Sequence, residues 1–381
     1  MNITAMSVLL LLADPPSATP GPVVIVDCTT SQASADRLRE LGAPIYRWFG
    51  QSTDPDSLKS GVIDLRRLVE EVDRRMGPNP SGWGMLDYEE PFDRWLDLPY
   101  SDAKHQQAVS EMLKAIRAVK RFYPNVKWTF YGQPRLERWL PTADGTTRGW
   151  SLSTQEAKDR EITRRIDSLS ELIAEVDWIN PSFYDVYENS MFIGQERDVM
   201  LANEEQWRVA DGKLGRTIRA QLGLPQVPVM PCVSPLFQPG GRATAQRPIP
   251  IDEFMTDQVM PTIRAGCDGV TMWSGADFVL NVATMMETSS LDAEDLKLRA
   301  DARKAWIPLA PAGKVPQDWS DPEVKLSISQ QLGDAIVTAT SATQTEFRKV
   351  KVLPLAGPAP QGAGAPSGPS VRPLDSEESK P

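Results

Sequence analysis

The chain of 381 residues is 41% hydrophobic and 24% charged, the balance of a soluble globular protein long enough for one large domain with appendages or for two to three domains. Its net charge of −10 speaks against binding a phosphate backbone, and against a strongly polyanionic substrate unless Arg and Lys gather at one site. His105 is the sole histidine, and Cys28, Cys232 and Cys267 lie far apart outside any Cys-x-x-Cys, so zinc sites built on His and Cys are not expected and no metal or organic cofactor is called for.

Residues 1–22 form an N-terminal segment and linker. The apolar run Val8-Leu9-Leu10-Leu11-Leu12-Ala13 is too short to cross a bilayer. It resembles the apolar region of a signal peptide, but no Lys or Arg precedes it, which leaves a cytoplasmic and an exported location both open. Residues 14–22 are rich in Pro and small residues and read as the linker.

From there short apolar runs alternate with amphipathic stretches. Val23-Val24-Ile25-Val26-Asp27 predicts a first strand, and residues 33–41 a helix that Gly42 closes. Ile45-Tyr46-Arg47-Trp48-Phe49 predicts a second strand, and Leu65, Leu68, Val69 and Val72 give residues 65–76 a helical stripe. Residues 84–89 form the third strand, between Gly84 and Pro91. Ser101 is a candidate cap for a helix running to Tyr123, with Val109, Met112, Leu113, Ile116 and Val119 on its inner face. His105 lies in the polar start of this helix, where a surface role is expected.

Residues 126–132 predict the fourth strand. Thr154 caps a helix through about Val176, and residues 178–184 predict the fifth strand. Residues 204–222 are helical in part, residues 227–233 form the sixth strand, 251–265 a helix and 269–273 the seventh strand. The cysteines sit in or beside these apolar segments and are expected to pack as small hydrophobes.

Such alternation predicts an α/β fold, a (β/α) TIM-like barrel, distorted and with seven to eight strands, over residues 23–314. The rival, a doubly wound open sheet, would favour a Gly-rich turn after its first strand, where this chain has Cys28-Thr29-Thr30-Ser31-Gln32. Residues 315–355 contain three short alternating runs, beginning at Val324, Ala335 and Phe347, that predict a small C-terminal antiparallel β appendage packed on the barrel. Residues 356–381 are dominated by Pro, Gly, Ala and Ser, then acids, and predict a disordered tail.

Barrel chemistry sits at the C-terminal ends of strands. Those ends carry Asp27, Arg47-Trp48, Asp87-Tyr88-Glu89, Tyr131-Gly132-Gln133, Tyr184-Asp185 and Trp273-Ser274. In Leu86-Asp87-Tyr88-Glu89-Glu90-Pro91, strand alternation points Asp87 and Glu89 the same way. Neighbouring carboxylates push one another's proton affinity up, which suits a proton donor at a glycosidic bond. Arg47 is a candidate for an anionic sugar group or for a structural ion pair, and the eleven tryptophans offer core or stacking surfaces.

Four stretches together resemble the hyaluronidase-like glycoside hydrolases, a family of distorted (β/α) barrels. They are Leu86-Asp87-Tyr88-Glu89 with Trp95, Phe130-Tyr131-Gly132-Gln133-Pro134, Pro181-Ser182-Phe183-Tyr184, and Gly269-Val270-Thr271-Met272-Trp273-Ser274-Gly275. The likeness covers about residues 23–310 and departs from the family in lacking counterparts of its disulfide cysteines and in the Glu90-Pro91 that follows the acid motif. The resemblance implies a retaining, substrate-assisted hydrolysis at an N-acetylhexosamine of a polysaccharide, in which the substrate's acetamido oxygen is the nucleophile. It implies Glu89 as general acid/base, Asp87 to orient the acetamido nitrogen, Tyr184 to bond the acetamido group, Trp273 as the sugar's floor and Tyr131 as part of the same pocket.

Trp48, Arg47 and Asp185 complete the expected substrate contacts. Two other classes stay open: a retaining glycosidase whose nucleophile is Asp185 or Asp87, and a non-catalytic carbohydrate-binding or structural barrel. The expected partner is a glycan, with no nucleic acid and no membrane span. The glycan, endo or exo action and the oligomeric state are not legible in the sequence.

Overall fold

The computed structural model describes residues 24–26, 32–51, 54–140, 149–184, 194–237, 248–273, 280, 283, 293–313 and 315–352. In chain order these form β1 (Val24–Val26), α1 (Gln32–Glu40), β2 (Tyr46–Gly50), α2 (Ser57–Ser60), α3 (Leu65–Met76) and β3 (Gly82–Asp87). There follow α4 (Phe92–Leu96), α5 (Ala103–Phe122), β4 (Val126–Phe130), α6 (Gln155–Glu175) and α7 (Gly194–Gln221). After β5 (Cys232–Val233), a helical stretch comprises α8 (Ile251–Phe254), a π turn (Met255–Val259) and α9 (Met260–Arg264), then β6 (Val270–Met272), α10 (Ala293–Trp306) and α11 (Pro322–Val352).

The strands make two three-stranded parallel sheets, ordered β1-β6-β5 and β2-β3-β4. Single parallel bridges continue the pairing: Val26 with Ile45, Ile179 with Val229 and Ser182 with Cys232. Residues 178–184 were expected as a full strand and instead make isolated bridges. The cause lies in the prolines. Pro181, Pro228 and Pro231 offer carbonyls, to Cys232, Ile179 and Thr271 respectively, but have no N–H to give back to a ladder.

Alternation along the strands separates two faces. Ile25, Tyr46, Trp83, Met85, Trp178 and Met230 pack with one another on the inner face, with Trp48 and Tyr131 at the edge of the cluster. Trp178 meets Tyr46 and Trp83 edge to face, with centroids 6.4 and 5.5 Å away. On the outer face Phe49, Leu86, Trp128 and Phe130 pack against α3, α5, α6 and α7. Val24, Val26, Val270 and Met272 pack against α1, the α8–α9 stretch and α11.

Helix ends follow local chemistry. Thr154 accepts from the Ala157 amide as expected, whereas Asp102 rather than Ser101 caps α5, accepting from Lys104. Gly42 closes α1 with φ +69°, where glycine carries no steric cost. Gln258, on the π turn, accepts from the Ser234 amide (2.8 Å) and donates to its carbonyl (3.0 Å), fixing the end of β5.

The expected C-terminal β appendage is corrected: residues 322–352 are one helix. Val324, Ile328, Leu332 and Ile336 recur every four residues and are buried, while Leu326, which made the run look alternating, is exposed. Thr340, Thr343 and Thr345 each donate to the carbonyl four residues back, so β-branched threonines sit in this helix with their hydroxyls satisfied. His105 is also corrected. It is fully buried, with Nε2 3.3 Å from the Ser168 carbonyl and its ring beside Tyr100. Cys232 and Cys267 are buried thiols; Cys28, the N-terminal segment and the tail from 353 lie outside the described residues. Among the described residues no helix is long and apolar enough to cross a membrane.

Candidate active site

β3 delivers the acid motif. Its inner face runs Trp83, Met85, Asp87, and the chain then turns through Tyr88 and Glu89 into α4. Tyr88 goes to the outer core, so Glu89 falls on the same side as Asp87 although the strand has ended. The turn is tied down. The Asp93 amide donates to the Glu89 carbonyl (2.6 Å) and the Gln51 amide to the Asp87 carbonyl (3.2 Å). The side chain of Gln51 donates to the Glu90 carbonyl.

Glu89, Tyr131 and Tyr184 line one cavity of about 340 Å³, together with Asp93, Arg135 and Ser182. Tyr184 stacks on Tyr131, centroids 5.9 Å apart at 27°, and on Trp273, 5.4 Å apart at 24°. The Tyr131 hydroxyl is 3.2 Å from Ser182 Oγ, and the Tyr184 hydroxyl is 2.9 Å from Cys232 Sγ. The buried Arg208, on α7, holds the backbone behind this row, donating to the Tyr184 carbonyl (3.3 Å) and to the Asp257 carbonyl of the π turn.

The protein packed around its carboxyl pushes Glu89 up to about 7 although the residue is open to solvent at the cavity, with the negative charge of Asp93 adding to the rise and Arg135 opposing it. Asp87 is pushed up too, by burial first and then by Glu89 and Asp93. Its Oδ1 is buried with no hydrogen-bond partner among the described residues. Both carboxyls are thus pushed above the ordinary carboxylate range, and at Glu89 the leading causes are desolvation and Asp93 rather than Asp87. Burial likewise raises the phenols of Tyr131 and Tyr184, which stay protonated hydrogen-bond donors.

Asp87 and Trp273 do not line the cavity wall, and the other expected residues are placed differently. Trp48 sits at the edge of the inner aromatic cluster with the Arg75 guanidinium 5.3 Å over its ring. Arg47 alternates to the opposite face of β2, where it bears on Arg75, and is not brought to the cavity. Asp185 lies outside the described residues, as do Asp27 and Ser274.

Two cavity residues went unnoticed in the sequence, Asp93 and Arg135. Arg135 donates to Asp93 Oδ2 (2.8 Å) and to Asp97 (3.0 Å), and Gln133 donates to Asp93 Oδ1 (3.3 Å). Asp93 stands four residues after Glu89, the spacing at which a helical turn returns to the same side, and Arg135 follows directly on Tyr131-Gly132-Gln133-Pro134. The segment bearing Arg135 is a fixed wall. Leu136 N donates to Asp211 and Glu137 N to Glu161, while Trp207 Nε1 donates to the Leu136 carbonyl.

A larger groove of about 580 Å³ lies between α6, α7 and α9, but its charged groups are surface residues and Arg264 is paired with Glu205. Among the described residues no three His, Cys, Asp or Glu side chains stand close enough to hold a metal ion.

The sequence matches no family profile and no curated protein. Among solved structures, the chain is similar to bee venom hyaluronidase at 15% identity and a TM-score of 0.38, over 72% of this chain and 77% of that one. It is similar to a candidate fructose-1,6-biphosphate aldolase from Coccidioides immitis at 11% identity and TM-score 0.32, over 85% and 93%. A third is a broad-specificity endoglucanase from Clostridium longisporum, at 12% identity and TM-score 0.29, over 74% and 86%. These relatives differ in chemistry and all three scores lie below 0.5, so the likeness assigns no reaction.

Proposed function

We propose that the protein is a glycoside hydrolase acting on a polysaccharide at an N-acetylhexosamine, with Glu89 as general acid/base in a retaining, substrate-assisted reaction. The observation that carries this reading is one cavity lined by Glu89 and by the stacked rings of Tyr131 and Tyr184, with Trp273 stacked on Tyr184 in turn. A carboxyl that titrates near neutrality can give a proton to a leaving oxygen and take one back from water. The aromatic row supplies the flat apolar surface that a sugar face needs. In this reading the two sheets and the bridges between them are one distorted seven-stranded barrel, and the cavity is its C-terminal mouth.

The steps follow from these groups. The acetamido oxygen of the bound sugar attacks its own anomeric carbon as the glycosidic bond breaks. Glu89 protonates the departing oxygen, then removes a proton from the water that opens the cyclic intermediate. Asp87, with an unpartnered Oδ1, accepts the acetamido N–H there, and the Tyr184 hydroxyl turns from Cys232 to the acetamido group.

The test is incubation with a panel of N-acetylhexosamine polysaccharides and a count of new reducing ends, with Glu89→Gln as control. Cleavage lost in the variant supports the reading and names the glycan. Unaltered glycans despite measurable binding would make the cavity a carbohydrate-binding site without chemistry.

A further inference from the structure

Glu89 is surrounded by charges that do not act on it equally. On its own turn Glu90 is half-exposed and paired with Arg94 (2.9 Å), so solvent and Arg94 mute it. On β3, burial pushes Asp87 up as well, and it is not among the groups that shift Glu89. From the segments after β4 and Ser182, Tyr131 and Tyr184 are buried phenols without charge. Arg138 on the same wall is paired with Glu204, and Glu137 accepts from the Trp139 amide. On α6, Arg165 is taken by Glu161 (2.8 Å) and by Asp97 (2.6 Å). On α7, Asp211 is buried and pushed up to about 8, neutral where Glu89 titrates. Of these charged groups, Asp93 and Arg135 act on Glu89 most strongly, ahead of Glu90.

Asp93 is built into the turn that carries Glu89. Its amide closes that turn, its carboxylate lines the same cavity, and Gln133 and Arg135 fix both carboxylate oxygens. Arg135 grips Asp93 at two points, the carboxylate and the carbonyl (3.4 Å), and also reaches Asp97.

We propose that Asp93 is a positioning residue for Glu89, and that Arg135 limits its action, so that the ion pair sets how strongly the Asp93 carboxyl bears on the acid. Without Asp93 the carboxyl of Glu89 loses its proton too readily to serve as an acid. Without Arg135 the Glu89–Asp93 pair keeps its last proton to higher pH, and Glu89 is slow to act as a base. Charge of opposite sign removed from opposite ends of one ion pair moves the titration of Glu89 in opposite directions. A role in packing alone has no such signature.

This inference rests on Glu89 being the acid, and its test does not require turnover. The full chain is labelled with carboxyl-¹³C glutamate, and the Glu89 signal is identified by its loss in Glu89→Gln. In Asp93→Asn the midpoint is expected to fall by about one pH unit, and in Arg135→Gln to rise by about one unit. Where cleavage is measurable, the pH profile of kcat/KM follows the same shifts. Midpoints that move in the same direction, or stay in place, overturn the proposal. If circular dichroism shows Arg135→Gln unfolded, Arg135→Lys replaces it. That variant keeps the charge, so its midpoint is expected to stay near the wild-type one while Asp93→Asn still falls; equal shifts in the two overturn the proposal. Opposed shifts in a protein that cleaves nothing would sustain the ion pair's role and remove the hydrolase reading. Cleavage without opposed shifts would do the reverse.

Discussion

Tyr184 lies nearly flat against Trp273, centroids 5.4 Å apart and planes 24° apart, while its hydroxyl points at Cys232 Sγ 2.9 Å away. The ring and the hydroxyl thus have separate neighbours and are separable by mutation. Tyr184→Phe keeps the stack and removes the hydroxyl, so it is expected to lower kcat by about tenfold or more and leave KM close to wild type. Trp273→Ala removes the platform and is expected to act through KM, by roughly fivefold for a stacking contact of about 1 kcal/mol. Steady-state kinetics on the active glycan separates the two, and unchanged constants in both would take the aromatic row out of the site.

Glu89→Gln is expected to reduce turnover by about 10² to 10⁴, the range for a lost general acid/base. The same variant makes a second, activity-free prediction. The folded pKa of Glu89 is about 7 against the ordinary 4.5, so the folded state binds more proton than the unfolded state between those values. Wild-type stability is therefore drawn down as pH rises from about 4.5 to 7, and the loss is complete above 7. Glu89→Gln escapes it. Its stability advantage is expected to be absent near pH 4, to grow across that window to about 1 kcal/mol, well under the full value of the shift because Glu89 is open to solvent, and then to level off. Urea melts at several pH values read this directly, and an advantage that does not change with pH would contradict it.

Gly50 pairs with Asp87 in the parallel ladder, and a Cβ built on it would run into the Asp87 carbonyl. The obstacle is backbone, which cannot swing away as a side chain can. Gly50→Ala is expected to cost about 1–3 kcal/mol and to displace the strand that carries the acids. Turnover would then fall further than the loss of stability alone predicts. A variant with the wild-type urea midpoint would show that β2 and β3 separate at little cost.

Trp178 is fully buried inside the cluster with Tyr46 and Trp83, and its Nε1 donates to the Lys127 carbonyl (3.3 Å). Trp178→Ala is expected to cost about 3–5 kcal/mol, the range for an emptied aromatic site. Trp178→Phe keeps much of the volume and should cost less. Equal costs would mean that the lost hydrogen bond, and not the cavity, dominates.

The helices were the most legible part of the chain. Leu65, Leu68, Val69 and Val72 placed α3 to the residue, and Thr154 marked the start of α6. Period and caps are local signals. The paired carboxylates were legible for the same reason, since two residues apart on a strand means one face. Arg47 was misplaced because a strand's end says little about which face its last residues take until the partner strand fixes it; Tyr46 and Trp48 took the inner face. Asp93 was hidden because its importance depends on Arg135, forty-two positions away, meeting it through the fold. His105 was misread because the polar residues around it sit on the exposed side of α5 while the histidine itself turns inward toward α6. At α11 the density of Val, Ile and Thr favoured strand by propensity, and burial at every fourth residue decided otherwise.

The outer face of β1 is covered by the last helix of the described chain: Ile336, Val337 and Phe347 pack with Val24 and Val26, and Gln344 donates to the Leu41 carbonyl (3.0 Å). On a ribosome this cover arrives roughly 300 residues after the strand it protects, about 15–60 s at ordinary elongation rates. During that interval α1 and then the α8–α9 stretch give Val24, Val26 and Met272 only part of their cover, and a chain halted before residue 322 never completes it. The protein's exposure to aggregation and to chaperones is thus set by the timing of its synthesis as much as by the stability of its finished core.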